Sequence, residues 1–324
     1  MKRITNIIRG GCIALLTVFA GASYAAPSIK GPITIVVPYA AGGPTDIIAR
    51  IVAAGLAEKL KVDVIVDNKA GASGTIGAST VARAAPDGRT LLVNSSIHEV
   101  LPSISSKLPY DTASAFTPLA RLVDVPLVLA VTTSLPVHSV KELTKYIKAH
   151  PGTVNAGNPG VGSSDQLATA LYRMRVGVEI EDIAYRGSAP AIVDLIGGQV
   201  QMMFDAGPSI YPHVKSGKLR GLATTGQKRS AIAPELPTMQ EAGVPDYALV
   251  NWYGMWAPAG LTPEVENQLL DALRSILNDR DIRRQLANLG AEATDVLGKD
   301  FKRFAEQERE KLGNIAKTAG IKMN

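Results

Sequence analysis

Ile33-Thr34-Ile35-Val36-Val37 is a β-branched apolar run, the composition of a strand buried on both faces. Pro38-Tyr39-Ala40-Ala41-Gly42-Gly43-Pro44-Thr45 follows, a turn with two prolines and two glycines. From Asp46 to Leu60 the apolar residues Ile47, Ile48, Ile51, Val52, Leu56 and Leu60 recur at helical spacing, and Thr45 or Asp46 is the expected N-cap. A strand that feeds a glycine loop at a helix N-terminus favours an anion. Backbone N–H groups point outward, the helix dipole attracts negative charge, and glycine lets a ligand approach the backbone. One such loop alone is better explained as an idle βα connection. The rest of the chain gives it weight.

Working toward the N-terminus, residues 1–25 read as a signal peptide. Lys2, Arg3 and Arg9 form a basic start, Cys12 to Ala22 is a short apolar run, and Ser23-Tyr24-Ala25 suits cleavage before Ala26. The apolar run is too short for a membrane span, which needs about 20 residues. The single cysteine, Cys12, leaves with this segment, so the mature chain is expected to have no disulfide and no thiol chemistry. Three positive side chains leave as well, and the formal +5 becomes +2. A near-neutral chain without a Lys/Arg block does not point to nucleic acid.

Toward the C-terminus the strand–loop–helix unit recurs. Val62 to Val66 is a second strand, Asp67 to Gly77 a second glycine loop, and a helix follows through Val81. The spacing of Gly71, Gly74 and Gly77 is not the dinucleotide fingerprint, and the next strand ends in Asn94 rather than in an acid. Thr90 to Val93 is a third strand. Asn94-Ser95-Ser96 and His98 follow at its C-terminal end, where open α/β sheets collect ligands. Leu127 to Val131 is a strand and the first candidate crossover. Beyond it come a helix (140–149), a short strand (154–156), the loop Gly157 to Ser164 with its helix, and a strand (180–184). Tyr185-Arg186-Gly187-Ser188-Ala189-Pro190, a helix to Ile196 and a strand from Val200 to Phe204 complete the block, ending at Asp205. Tyr247 to Trp256 reads as the return crossover. The remaining helices start at Thr262, as N-cap, at Asp279 and at Lys299.

Two α/β blocks joined by two crossovers describe two lobes around a ligand cleft that closes by hinge motion. The expected division is residues 26–125 for lobe 1, 126–248 for lobe 2, and 249–324 back in lobe 1. An exported enzyme is the rival class. No Gly-x-Ser-x-Gly elbow, His-Glu-x-x-His or clustered Cys/His spacing occurs, and His98, His138, His150 and His213 are scattered. No catalytic residue, metal ligand or cofactor is therefore expected.

Pro38 to Arg50 resembles the first-loop signature of the substrate-binding receptors of tripartite tricarboxylate transporters, the Bug receptors. Asn68 to Gly77, Ala85-Pro86-Asp87-Gly88, Leu108-Pro109-Tyr110-Asp111, Gly160-x-Gly162-Ser163, Tyr185 to Ala191, Gly197-Gly198-Gln199-Val200, Trp252-Tyr253-Gly254 and Ala257 to Gly260 match in order along the mature chain. The resemblance implies a type II periplasmic binding protein fold. It implies a periplasmic receptor that hands a small organic acid to a membrane permease. It also implies a carboxylate clamp: Tyr39, Ala41, Gly42, Gly43, Thr45, Ala72, Ser73, Gly74 and Thr75 from lobe 1, with Gly162, Ser163, Tyr185, Gly187, Ser188 and Asp205 from lobe 2. Ser96 and His98 are expected to line the ligand's distal end beside Tyr39. Four positions depart from the family pattern: Tyr39 where Phe is usual, Asn158 where Ser is common, and Asp165-Gln166 where Ser-His is frequent. A second reading keeps the fold and makes the chain a solute sensor for a histidine kinase.

Overall fold

The computed structural model describes residues 29–323; the expected signal peptide lies outside the described residues. The chain runs β1 (Ile33–Val37), α1 (Pro44–Leu60), β2 (Val64–Asn68), a 3₁₀ turn (Ala72–Gly74), α2 (Thr75–Ala82), β3 (Thr90–Ser95), α3 (Ile97–Ile104) and β4 (Phe116–Thr132). It continues through α4 (Val140–Ala149), β5 (Asn155–Asn158), α5 (Ser164–Val176), β6 (Glu181–Ala184), α6 (Ser188–Ile196), β7 (Met202–Ala206), α7 (Gly207–Lys215) and β8 (Leu219–Thr224). It closes with β9 (Val250–Pro258), α8 (Pro263–Asn278), α9 (Arg280–Asn288), β10 (Glu292–Ala293) and α10 (Gly298–Thr318). Among the described residues no helix is long and apolar enough to cross a membrane.

One strand belongs to both lobes. The first part of β4 pairs antiparallel with β9, from Phe116↔Pro258 to Pro126↔Val250. Its second part, from Leu127, pairs with β7 and β8. The partners of β4 thus change between Pro126 and Leu127. The strand expected at 127–131 is the second part of this longer element. Pro118, Arg121, Asp124 and Pro126 hide the first part, because they interrupt the apolar run and prolines donate no ladder bond. The strand accommodates them with register shifts at Pro118/Ala120 and Arg121/Val123.

In lobe 1, β1 pairs parallel with both β2 and β3, so the loops after β1 and β3 leave the same edge. In lobe 2, β5 pairs parallel with β6 and β7. Each sheet is covered on both faces. Ile33, Ile35, Val52, Leu56 and Leu273 build one lobe 1 core, while Val36, Leu92, Trp252, Trp256 and Phe301 build the other. Buried parallel strands need this two-sided cover, which explains their unbroken apolar runs. In lobe 2 the larger core holds Leu129, Leu171, Tyr172 and Phe204.

The last helix departs from the expected division. The N-terminal half of α10 places Phe301 and Ala305 in a lobe 1 core. Its C-terminal half places Leu312, Ile315 and Ala316 in the main lobe 2 core, together with Val100 and Ile104 of α3. The helix is long enough to span both lobes, so lobe 2 receives apolar cover from the C-terminus as well. Helices α3 and α7 were not apparent in sequence, since Pro102 and Pro212 interrupt them.

Candidate functional site

The first loop is built around a carboxylate. Pro44 occupies the first helical position of α1 and Gly43 is the N-cap, so neither Thr45 nor Asp46 caps this helix as expected. Proline fits there because its missing N–H would have no helical acceptor. Asp46, 2 % exposed, reaches back instead. Its Oδ2 accepts the Gly42 N–H at 2.8 Å and the Arg50 Nε–H at 3.0 Å, and its Oδ1 accepts from Asn68 Nδ2 at 3.0 Å. Asn68 Nδ2 also donates to the Tyr39 carbonyl at 3.1 Å. Burial pushes the Asp46 carboxyl up, but these donors together outweigh it and hold the group below the usual carboxylate range. The Gly42 N–H is therefore occupied. The amides of Gly43 and Thr45 have no acceptor among the described residues. Ala41 is exposed beside them.

The second loop carries unusual backbone. Gly71, Ala72, Ser73 and Gly74 all have positive φ, and Ala72 and Ser73 are adjacent non-glycine residues at 46° and 52°. Such conformations cost roughly 1–3 kcal/mol each and cluster at functional sites. Thr75 Oγ1 donates to the Ala72 carbonyl at 2.8 Å, closing the turn. A Cβ built on Gly74 would lie 3.3 Å from the Tyr39 hydroxyl, which joins the two loops. That hydroxyl donates to Asn94 Oδ1 at 2.9 Å and lies 3.4 Å from Ser95 Oγ. Burial pushes the Tyr39 hydroxyl up to about 12, so it stays a neutral donor.

In lobe 2, Ser163 is the N-cap of α5 and accepts the Gln166 N–H at 3.2 Å. Gln166 Oε1 returns the bond by accepting the Gly162 N–H at 2.9 Å. The Gly162 amide is thereby engaged. A Cβ on Gly162 would fall 2.5 Å from Ile104 Cδ1, so this loop rests on α3. Tyr185 donates its hydroxyl to Asp194 Oδ2 at 2.8 Å. Burial, then Asp194, push that hydroxyl up to about 12. Gly187 has φ 107° at the N-cap of α6, and nothing lies within 4 Å of where its Cβ would be. Ser188 Oγ donates to Asp205 Oδ1 at 2.9 Å. Arg186 is exposed and has no ion pair among the described residues, whereas Lys69 lies 3.4 Å from Asp67.

The lobes meet over a polar floor. Ser96 Oγ donates to Asn251 Oδ1 at 3.2 Å, and Asn251 Nδ2 donates to the Tyr253 hydroxyl at 3.1 Å. Burial raises the Tyr253 pKa, and Tyr39, Asp165 and Asp205 raise it further, so groups from both lobes surround it. Asn68, Asn94, Asp165, Asn251 and Tyr253 were not singled out as site residues. The available signal was position: Asn68 and Asn94 end strands at the edge where the loops emerge.

Ser163→Ala is expected to lower stability by about 1 kcal/mol through loss of the cap. Chemical denaturation checks this; an unchanged midpoint would show that the cap contributes nothing.

His98 is the residue the structure takes away from the site. It is fully buried, with ring centroids 4.8 Å from Phe116 and 4.8 Å from Trp256. Both ring nitrogens lack partners. The turn of α3 points it into the aromatic core behind β3 rather than toward the loops. Burial, then Arg309, push its pKa from 6.5 down to about 3. The folded state therefore holds it neutral while the unfolded chain protonates it below 6.5. Its contribution to stability is complete above that value and declines as pH falls toward 3. His98→Phe should flatten this part of the stability–pH curve and leave ligand affinity unchanged. Titrating the unfolding midpoint against pH in both proteins tests the first half, and calorimetry the second.

The sequence profile of the tripartite tricarboxylate transporter family receptors matches residues 48–321. The chain belongs to this family. BugT of Bordetella pertussis is 34% identical over 294 residues, covering 90% of each chain. Rpa4515 of R. palustris, solved with adipate, is 37% identical with a TM-score of 0.80, covering 90% of this chain and 98% of that one. MatC of Rhodopseudomonas palustris, solved with bound malate, is 30% identical with a TM-score of 0.74, covering 88% and 98%. The type II periplasmic binding protein architecture expected from the sequence is thus the fold of this tricarboxylate receptor family member.

Proposed function

We propose that this receptor captures a small organic acid between its lobes in the periplasm and delivers it to the membrane permease of a tripartite tricarboxylate transporter. It binds without turning its ligand over. What supports the reading is that α1, α2 and α6 each open at a glycine N-cap, and that Tyr39 of lobe 1 and Asp165 and Asp205 of lobe 2 all act on the Tyr253 hydroxyl. The amides of Gly43 and Thr45, the Ser73 turn and the start of α6 at Ser188 are the donors offered to a carboxylate. A hydrogen bond to a charged group contributes about 1.5–3 kcal/mol. A handful of them, after ordering costs, gives micromolar affinity, which suits a protein that must also release its cargo. Adipate and malate, bound by two relatives, support a small dicarboxylate as the ligand.

Residues on both lobes contact such a ligand only when the cleft is closed, and that difference is what lets binding drive closure. A thermal-shift screen of aliphatic and aromatic organic acids tests the reading. Stabilisation by acids is expected. Stabilisation by sugars or simple amines, with none by acids, would overturn it. Capture of the purified permease by the ligand-loaded receptor tests the delivery step.

A further inference from the structure

The two faces of the hinge strands differ. On β9, Val250 and Trp252 point one way and Asn251 and Tyr253 the other, by the alternation of a strand. Asn251 and Tyr253 hold the polar floor, bonded to Ser96 and to each other. Val250 and Trp252 face α10: Trp252 Nε1 donates to Glu308 Oε2 at 3.1 Å, and Val250, Trp252 and Phe304 pack in one core. Asp124 and Pro126 of β4 pair with Trp252 and Val250, so they share this second face.

A cavity of about 330 Å³ lies on the second face, behind the hinge. Its walls come from both lobes. Glu292 sits on β10, which pairs with the first part of β4 at Asp124, and Phe304 packs in a lobe 1 core. Lys228 follows β8, which pairs with the second part of β4, and Ala248 precedes Leu249 of the lobe 2 core. Two ion pairs in the wall are already made, Arg121 Nη2 with Asp124 Oδ1 at 2.5 Å and Lys311 Nζ with Glu308 Oε1 at 2.6 Å. Lys228 and Glu292 remain, one on each side, both exposed and without an ion pair among the described residues. Rotation about the hinge moves the two faces in opposite senses. Bringing the lobes together over the floor draws the walls of the rear cavity apart, and opening the cleft brings Lys228 toward Glu292. Attraction across the cavity therefore stabilises the open form, and bulk placed inside it stabilises the closed one.

We propose that this rear cavity sets the balance between open and closed forms, with Lys228 and Glu292 as positioning residues that restrain closure, so that affinity is tuned from a place the ligand never touches. The inference rests on the two-lobe carboxylate reading above and adds what opposes closure. Where the closed form is scarce in the empty protein, apparent affinity falls by that fraction, so raising its share tightens binding.

Ala248→Trp fills the cavity and tests it, with adipate and malate as probes and the full mature protein. Calorimetry should show about tenfold tighter binding of whichever acid binds the wild type. Small-angle X-ray scattering from the empty variant should give a smaller radius of gyration than the empty wild type. Lys228→Glu and Glu292→Lys each set like charges across the cavity, and each should compact the empty protein and tighten binding about fivefold. Combining the two exchanges restores opposite charges and should return affinity and radius to the wild-type values, which a merely structural role would not do. These two exposed positions carry the test if Ala248→Trp does not fold. An unchanged or larger radius in the folded variants overturns the inference, as do single charge changes that the double exchange fails to reverse. If neither acid binds the wild type, the organic-acid screen decides the carboxylate reading, and scattering from the empty proteins still decides this inference.

Discussion

Gly43→Val is expected to weaken ligand binding about 100-fold in a protein that still folds. The backbone at Gly43 has φ −77° and ψ 168°, an extended conformation that valine adopts freely. A Cβ there meets only the Ala40 carbonyl, at an ordinary 3.6 Å. The substitution therefore costs little inside the loop beyond a weaker N-cap, about 1 kcal/mol. Its methyl groups instead occupy the open face of the loop, where an anion would have to approach the Gly43 and Thr45 amides. The loss is expected to reach about 100-fold, or roughly 3 kcal/mol. Calorimetry with an acid identified by the screen measures it. Unchanged affinity in the folded variant would move the carboxylate to another part of the cleft. Gly42 is a poorer probe, because its φ of 83° adds backbone strain to any side chain.

Asp46→Ala is expected to lower stability by about 2–4 kcal/mol and to weaken binding with it, the range for breaking a buried charge interaction whose partner keeps access to water. The carboxylate ties Gly42 to Asn68 and Arg50, and Asn68 ties both to the Tyr39 carbonyl. Without it the loop loses the bonds that set its shape and the direction of its free amides. Arg50→Ala should cost far less, since the Arg50 side chain is 53% exposed and water replaces it. The pH dependence has a definite sign. The Asp46 pKa lies below its unfolded value, so its contribution is present above about pH 3.9 and is lost as pH falls through the folded pKa. Denaturation midpoints of the wild type and Asp46→Ala should converge in acid. A constant gap down to acid pH would assign the effect to packing rather than to charge.

The amino-acid sequence alone determined the class of fold and the family of this protein. Apolar runs such as Ile33 to Val37, glycine pairs such as Gly42-Gly43 and the helical spacing from Ile47 to Leu60 are local signals. They follow from backbone sterics and from the periods of strand and helix, which neighbouring residues carry without help. The cap at Thr262 and the helix from Val140 to Ala149 were legible for the same reason. Polar partners were not, because they depend on which elements pack together. Only the tertiary structure decided that Asp46 takes the Gly42 amide together with Asn68 and Arg50, that β4 continues through its prolines into both lobes, and that α10 reaches the core of lobe 2. It turned His98 into an aromatic core that the local pattern could not foresee.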